Sequence, residues 1–457
     1  MTRRIIIAVL RLALRIFFRH LEVVGRERVP RESPVMFVMN HPNALVDPAF
    51  LLCLAPRRVS FLAKAPIFKM PILGWLVREL EALPVYRRQD RGSDTAQNKE
   101  TFKAARELLK KGGTIGVCPE GISHNESRLM PLKTGAARIA LGAVSSGQRR
   151  MELSIIPAGL YYTAKARFRS SALLYFGEPF AVEPVVLGEN GEPPIEAVNE
   201  LTSRVEQSLR QVMLDAENEE AYNAIRHAES IFSSAEETKT RKMPLEKELR
   251  RRQLFLAGYV YLRQNAPQRV EALLARIRRY EEELQNAGLD PEELTPPSSA
   301  TSVLSQLVYR LLLFALLLPQ ALIGLALHYP AYLLIDLIVI GFFKKDAEDM
   351  ESTVKIVGAL LLFPLTWLVL AGVTGYLFGW LWALVVLLIT PFTGWAAVRF
   401  FERLDQFYGS CRAVIYFITK RWYFVRLMAE RQAIREEILA LGDIAAQTPA
   451  NPAQASR

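Results

Sequence analysis

Cysteine and histidine are scarce in this chain, with three of the first and five of the second among 457 residues. Cys53, Cys118 and Cys411 are odd in number and show no paired spacing, so neither a disulfide framework nor a zinc site is predicted. A reduced, cytosol-facing location fits. His124 lies four positions after Glu120, but no second cluster of histidine or cysteine accompanies it, and no metal is expected. A Gly-x-Ser-x-Gly elbow is also missing, which argues against a serine-hydrolase route. The first apolar run, residues 5 to 18, ends in no small-residue cleavage site. It continues through Arg19-His20-Leu21-Glu22 into the strand-like Val23-Val24-Gly25, unlike a signal peptide.

Charge itself disappears over two long stretches. Leu311 to Phe343 holds only Asp336, and Ile356 to Val398 holds none. The second is 43 residues long, enough for two passes at roughly 20 residues each, with Gly372 to Gly379 as the turn region. The first is too short for two full passes and too long for one. Pro319 and His328-Tyr329-Pro330 interrupt it, so a kinked pass and a re-entrant hairpin both stay open. Arg310 precedes these stretches, Lys344-Lys345 separates them, and Arg399, Arg403, Arg412, Lys420, Arg421 and Arg426 follow. All three groups should prefer the cytosolic side, so each stretch should enter and leave on one face, as two hairpins. Asp336 is either a functional intramembrane carboxylate or a residue at a helix end or beside an arginine.

What is present is basic and apolar: 57 Lys+Arg against 47 Asp+Glu, with 51% hydrophobic residues. That combination points to anionic lipid and away from nucleic acid. Arg11, Arg15 and Arg19 recur every four residues in the first apolar run. Residues 1–29 therefore read either as a basic amphipathic helix in the membrane interface or as a helix packed on the following domain. From 30 to 215, short apolar runs (35–39, 59–63, 82–86, 114–118, 153–156, 173–176) alternate with helix-like segments (72–80, 93–111, 133–146, 194–214). This predicts an α/β domain with a mixed, largely parallel sheet flanked by helices. Residues 216–300 form a charged helical connector closed by Gly288, its charge runs read as solvated faces or headgroup contacts. A C-terminal α-helical membrane region follows at 301–400, then a basic amphipathic helix and disordered tail at 401–457.

The chemistry gathers in Asn40-His41-Pro42-Asn43-Ala44-Leu45-Val46-Asp47, directly after the buried strand run Val35–Met39. A histidine at a strand end sits where clefts of α/β sheets form. Asp47-Pro48 before Ala49-Phe50-Leu51-Leu52 reads as an N-cap, a first-turn proline and a helix. His41 and Asp47 thus bracket a loop, and only its curvature can bring them together. If they meet, the imidazole can take a proton from an alcohol while the carboxylate fixes its tautomer. The alternative is a helix cap and an unrelated polar loop residue.

Four blocks in order carry a resemblance to the glycerophospholipid acyltransferase family, the glycerol-3-phosphate and 1-acylglycerol-3-phosphate acyltransferases. They are Asn40-His41 to Asp47; Ala82-Leu83-Pro84-Val85-Tyr86-Arg87, preceded by Phe61-Leu62-Ala63-Lys64-Ala65-Pro66; Pro119-Glu120-Gly121-Ile122-Ser123 with Leu132-Lys133-Thr134-Gly135-Ala136; and Ile155-Ile156-Pro157-Ala158. The match covers about 30 to 180. Two features depart from the family pattern. Five residues separate His41 from Asp47 where four are usual, a spacing that resembles the branch of fungal glycerol-3-phosphate and dihydroxyacetone-phosphate acyltransferases. Cys118 and Ile122 stand where an aromatic residue and threonine are common.

The resemblance implies a membrane-associated O-acyltransferase with no bound cofactor. Its acyl donor would be a thioester of coenzyme A or acyl carrier protein, the carrier protein being a possible partner. His41 would be the general base and Asp47 its stabiliser, on a domain facing the cytosol at the cell membrane. Arg87 is implied as the contact to the phosphate of a glycerol-phosphate acceptor. Glu120 would either accept from the acceptor hydroxyl or position a basic residue, with Gly121 permitting close backbone approach, and Lys64 and Lys133 are weaker phosphate or carrier contacts. Two alternatives remain: an acyltransferase for another lysolipid or alcohol, and a membrane scaffold or transporter whose acyltransferase-like domain is silent.

Overall fold

The computed structural model describes residues 1–87, 95–146, 151–232, 243–289, 300–342 and 351–447. It divides into two units, Met1–Asp215 with Ile338–Val357, and Ala216–Leu337 with Gly358–Arg457.

The first unit is built on eight strands: β1 (His20–Val24), β2 (Val35–Met39), β3 (Ser60–Lys64), β4 (Leu83–Val85), β5 (Thr114–Val117), β6 (Ser154–Tyr162), β7 (Ser171–Phe176) and β8 (Phe180–Ala181). Their order is β1-β7-β6-β2-β5-β3-β4, with β8 on β6. All pairs are parallel except β6 with β7 and β6 with β8. The helices are α1 (Thr2–Phe17), α2 (Val46–Leu54), α3 (Pro71–Glu79), α4 (Asn98–Lys110), α5 (Gly135–Ser145) and α6 (Ile195–Val212). This is the mixed, largely parallel sheet flanked by helices that the alternating pattern predicts.

Every residue of Val35–Met39 is buried, so β2 is an uninterrupted apolar run, as a strand covered on both faces must be. Along β6, Gly159 allows helix α6 to close on the sheet, because a Cβ there would lie 1.9 Å from the Val212 carbonyl oxygen. The five strands β2, β3, β4, β5 and β6 run in one direction. Their carboxyl ends, Met39, Lys64, Val85, Val117 and Tyr162, therefore share one sheet edge, where doubly covered sheets place their ligands.

Helix α1 packs on the domain by one face and leaves a second apolar stripe open. Ile6, Ala13, Leu14 and Phe17 are buried, whereas Ile5, Val9, Leu12 and Ile16, a second stripe at helical spacing, are each about half exposed. Two of its arginines turn inward: Arg3 donates to the Leu80 and Val59 carbonyls and Arg11 to the Cys53 carbonyl.

In the second unit, α7 (Glu219–Phe232), α8 (Leu245–Asn265), α9 (Pro267–Ala287) and α13 (Arg421–Gln447) form a bundle. Its core includes Ile231, Phe232, Ile277, Tyr280, Phe424 and Leu427. The connector and the C-terminal basic helix, separate segments in the sequence reading, thus pack together. Their charges pair within the bundle: Arg276 with Glu430 at 2.6 Å and Glu437 at 2.7 Å, and Arg426 with Glu283 at 2.6 Å. Gly288 caps α9 in the left-handed conformation as expected. The disordered tail expected from about Ala445 starts inside α13, which runs to Gln447, and its remainder lies outside the described residues.

Among the described residues, three helices are long and apolar enough to cross a membrane, at Leu311–Gly341, Glu351–Phe378 and Trp380–Leu404. They belong to α10 (Ala300–Phe342), α11 (Glu351–Phe378) and α12 (Trp380–Thr419). Gly379, at φ +95°, breaks the second apolar stretch into the expected pair. The hairpin expected in the first stretch is replaced by one continuous helix that absorbs Pro319 and Pro330. A proline removes one backbone bond, whereas a turn in an apolar stretch would strand several backbone groups.

Candidate active site

His41 and Asp47 meet. The imidazole Nδ1 lies 2.9 Å from Asp47 Oδ2, with the two side chains 18% and 0% exposed. A carboxylate only accepts, so Nδ1 carries the proton, and in the neutral imidazole Nε2 is left with a lone pair, the arrangement a general base needs. Loop curvature closes the gap as required. Ala44 adopts φ +28°, a backbone conformation L-residues seldom take, and the Val46 and Asp47 amides both donate to the Asn43 carbonyl. Asp47 is not the N-cap, because α2 begins one residue earlier, at Val46. It sits inside the first turn, where its charge still meets the positive helix end. Its remaining capacity is spent locally: Oδ2 accepts the Asn43 amide at 2.7 Å and Oδ1 accepts the Tyr162 hydroxyl at 2.6 Å.

Burial disfavours the charged imidazole. It is outweighed by the Cys118 thiol and the Asp47 carboxylate against the ring, which together hold His41 well above the ordinary histidine range. Burial, and then the Asp47 charge and hydrogen bond, push the Tyr162 phenol well above its usual range, so Tyr162 stays a donor.

Asn40 anchors the near end of the loop. Its amide donates to the Leu160 carbonyl at 3.0 Å and accepts the Leu160 N–H at 2.7 Å, extending the β2–β6 ladder by a side chain. Glu120, fully buried, holds the other side. Oε1 accepts the His41 backbone N–H at 3.0 Å, and Oε2 accepts the Met130 N–H at 2.9 Å and meets His124 Nε2. Both oxygens accept hydrogen bonds from the protein's own groups, Oε2 beside the imidazole of His124.

Gly121 adopts φ +75°. An added Cβ would make only ordinary contact, 3.5 Å from Lys133 Cγ, so the backbone angle and not crowding calls for glycine. Arg87 Nη1 donates to the Gly121 carbonyl at 2.7 Å. Arg87 and Lys133 thereby converge on Gly121 from different elements. Lys64 is exposed at the end of β3, in register with Val85 two residues before Arg87. Arg88 and Arg91 lie outside the described residues. Among the described residues, no group of three His, Cys, Asp or Glu side chains could hold a metal.

Tyr162 escapes the sequence reading, because nothing local ties it to a loop 115 residues away. Its position at the end of β6, directly beyond the fourth block, was the available signal.

Residues 20–161 match the acyltransferase family model, and residues 235–445 match the glycerol-3-phosphate acyltransferase 2 C-terminal domain. Glycerol-3-phosphate O-acyltransferase 2 of Saccharomyces cerevisiae is 28% identical over 60% of this chain and 38% of its own length. Glycerol-3-phosphate O-acyltransferase 1 of the same yeast is 26% identical over 78% of this chain and 57% of its own. A chloroplastic 1-acyl-sn-glycerol-3-phosphate acyltransferase of Arabidopsis thaliana is 30% identical over 32% of this chain and 38% of its own. The chain thus spans less than two thirds of each of these curated relatives. In sequence order, then, residues 20–161 are similar to the acyltransferase family and residues 235–445 to the C-terminal domain of glycerol-3-phosphate acyltransferase 2.

Proposed function

We propose that the protein transfers a fatty acyl group from an acyl thioester to a hydroxyl of glycerol 3-phosphate at a membrane surface. The observation that carries this reading is the His41 imidazole, tautomerically fixed by Asp47 at the edge that also bears Arg87. In this mechanism Nε2 of His41 accepts the proton of the acceptor hydroxyl as its oxygen attacks the thioester carbonyl. Asp47, itself held by Tyr162 and the Asn43 amide, stabilises the imidazolium that forms. Collapse of the tetrahedral adduct expels the carrier thiolate, which takes the proton back from His41. A thioester is already activated, so no enzyme nucleophile is required. Arg87 offers a planar fork suited to phosphate oxygens, and Lys133 and Lys64 supply point charges nearby.

Glycerol 3-phosphate is preferred over its 1-acyl form for two reasons. Matches to the two glycerol-3-phosphate acyltransferases run over 60% and 78% of the chain, whereas the match to the 1-acyl enzyme covers 32%. The five-residue spacing between His41 and Asp47 points the same way. The three apolar helices have a purpose under this reading: acyl chains and the lipid product partition into the bilayer while glycerol phosphate and the carrier stay in water. The site would then face the cytosolic headgroups.

The test is acyl transfer by the purified full chain, from acyl coenzyme A and from acyl carrier protein, to glycerol 3-phosphate and to its 1-acyl form. Turnover on glycerol 3-phosphate that disappears in His41→Ala is expected. No turnover on either acceptor, with transfer to another alcohol, overturns the substrate; wild-type rates in His41→Ala overturn the mechanism.

A further inference from the structure

The β6–β7 connection, residues 163–170, carries a half-buried lysine that the reaction scheme above does not use. Lys165 Nζ donates to the Pro42 carbonyl at 2.8 Å and to Asn125 Oδ1, and it approaches the His124 carbonyl at 3.5 Å. An ammonium has three hydrogens and no acceptor, and these three oxygens lie within its reach. They belong to the two loops that frame the base. Pro42 follows His41 directly, and the His124 amide donates to the His41 carbonyl at 3.2 Å. Lys165 thus ties together the loop after β2, the loop after β5 and its own.

That third loop is held from outside the sheet. Ser352 Oγ donates to the Lys165 carbonyl at 2.7 Å, and Lys355 Nζ donates to the Ala166 carbonyl at 3.3 Å. Ser352 and Thr353, in the first turn of α11 and in the first unit, are 1% and 5% exposed. Lys355 is steadied by Glu351 at 2.5 Å. At its other end the loop is fastened by the Arg169 amide to the Phe17 carbonyl, at 2.6 Å. A helix long and apolar enough to cross a membrane therefore begins on the loop whose lysine grips the main chain beside His41.

We infer that Lys165 is a positioning residue for the His41 base and that the first turn of α11 holds Lys165 in place, coupling a membrane helix to the geometry of the site. The inference rests on the acyl-transfer reading given above. Its physical content is that a loop of irregular backbone places Nε2 only as well as its fastenings allow, and displacements near 1 Å cost about 100-fold in rate.

The experiment measures steady-state transfer from acyl coenzyme A to glycerol 3-phosphate by the full chain in nanodiscs. Lys165→Met keeps most of the aliphatic stem and removes the ammonium. It should lower kcat about 30- to 100-fold while KM for glycerol 3-phosphate moves less than about 3-fold, the split expected for lost positioning and not for lost phosphate binding. Lys165→Arg should recover part of the rate. Ser352→Ala with Lys355→Met, far from the reacting atoms, should lower kcat about 5- to 10-fold. Added to Lys165→Met, this pair should cause no further loss, because it acts through the same lysine. If Lys165→Met does not fold, the Ser352/Lys355 pair still carries the test, and its kcat within 2-fold of wild type overturns the coupling. A raised KM at unchanged kcat in Lys165→Met, or losses that multiply in the combined variant, also overturn the inference. Wild-type protein that acylates no glycerol-phosphate acceptor sinks this inference together with the function; active wild type with an unaffected Lys165→Met sinks the inference alone.

Discussion

The sheet edge and the apolar helices face the same problem, polar groups with no water to satisfy them, and solve it at opposite ranges. At the edge the bonds are long in sequence: His41 to Glu120 across 79 residues, Asn40 to Leu160 across 120, Tyr162 to Asp47 across 115. In the helices several are short, although Trp367 reaches His328 across 39 residues. Thr366, Thr374 and Thr390 each bond a carbonyl four residues back, and His328 Nδ1 bonds the Gly324 carbonyl at 2.8 Å. Local bonds survive whatever else the chain does. A network assembled from distant loops exists only in the finished fold and moves as one when any member is cut. Function resides in the second kind because a reactive geometry needs groups from several elements at once.

Cutting the edge network at its centre should give the largest effect. His41→Ala removes the base and should lower kcat by about three orders of magnitude, measured as acyl transfer to glycerol 3-phosphate. Asp47→Asn should cost about 100-fold or more and also report on charge. The wild-type rate should climb with pH along a limb above the usual histidine range, because the raised His41 is neutral only there. Without the Asp47 charge that limb should move to lower pH. Tyr162→Phe removes a donor from Asp47, strengthens its pull on the imidazolium and should move the limb to higher pH, with about 10-fold lower kcat. Opposite shifts in these two variants would sharpen the contrast; equal shifts would break it. The smallest effect belongs to the helices. There Trp367 Nε1 donates to His328 Nε2 at 2.8 Å, and Trp367→Phe should lose about 0.6 kcal/mol of stability by thermal unfolding in micelles with transfer rates within 2-fold.

This difference in range also explains what could be seen in advance. The strand runs at 35–39, 114–118 and 173–176 and the helices at 133–146 and 194–214 announce themselves by period, and the structure places them within a few residues. β8, only Phe180–Ala181, has too little pattern to see, and β6 runs on to Tyr162 through Pro157 and Gly159, which read as breakers. The pairing of His41 with Asp47 was open to a spacing argument once loop curvature was allowed. Asp47 as a cap was two residues out, because Leu45 is the N-cap and Val46 already turns into the helix. The bonds of Glu120 to the His41 and Met130 amides could not be foreseen, since backbone N–H groups leave no mark in a sequence. The continuous α10 was misjudged because two prolines look like a turn wherever water can satisfy the freed groups.

The open stripe of α1, Ile5, Val9, Leu12 and Ile16, has a consequence at a lipid surface. Half-covered aliphatic side chains of this size release about 1 kcal/mol each when the remainder enters lipid, some 4 kcal/mol in all. That is below what one myristoyl chain contributes, so such a helix grips a vesicle weakly and lets go again. On a lipid surface it would act as a foot and not as a root: enough to lean one face of the domain on that surface, and no more.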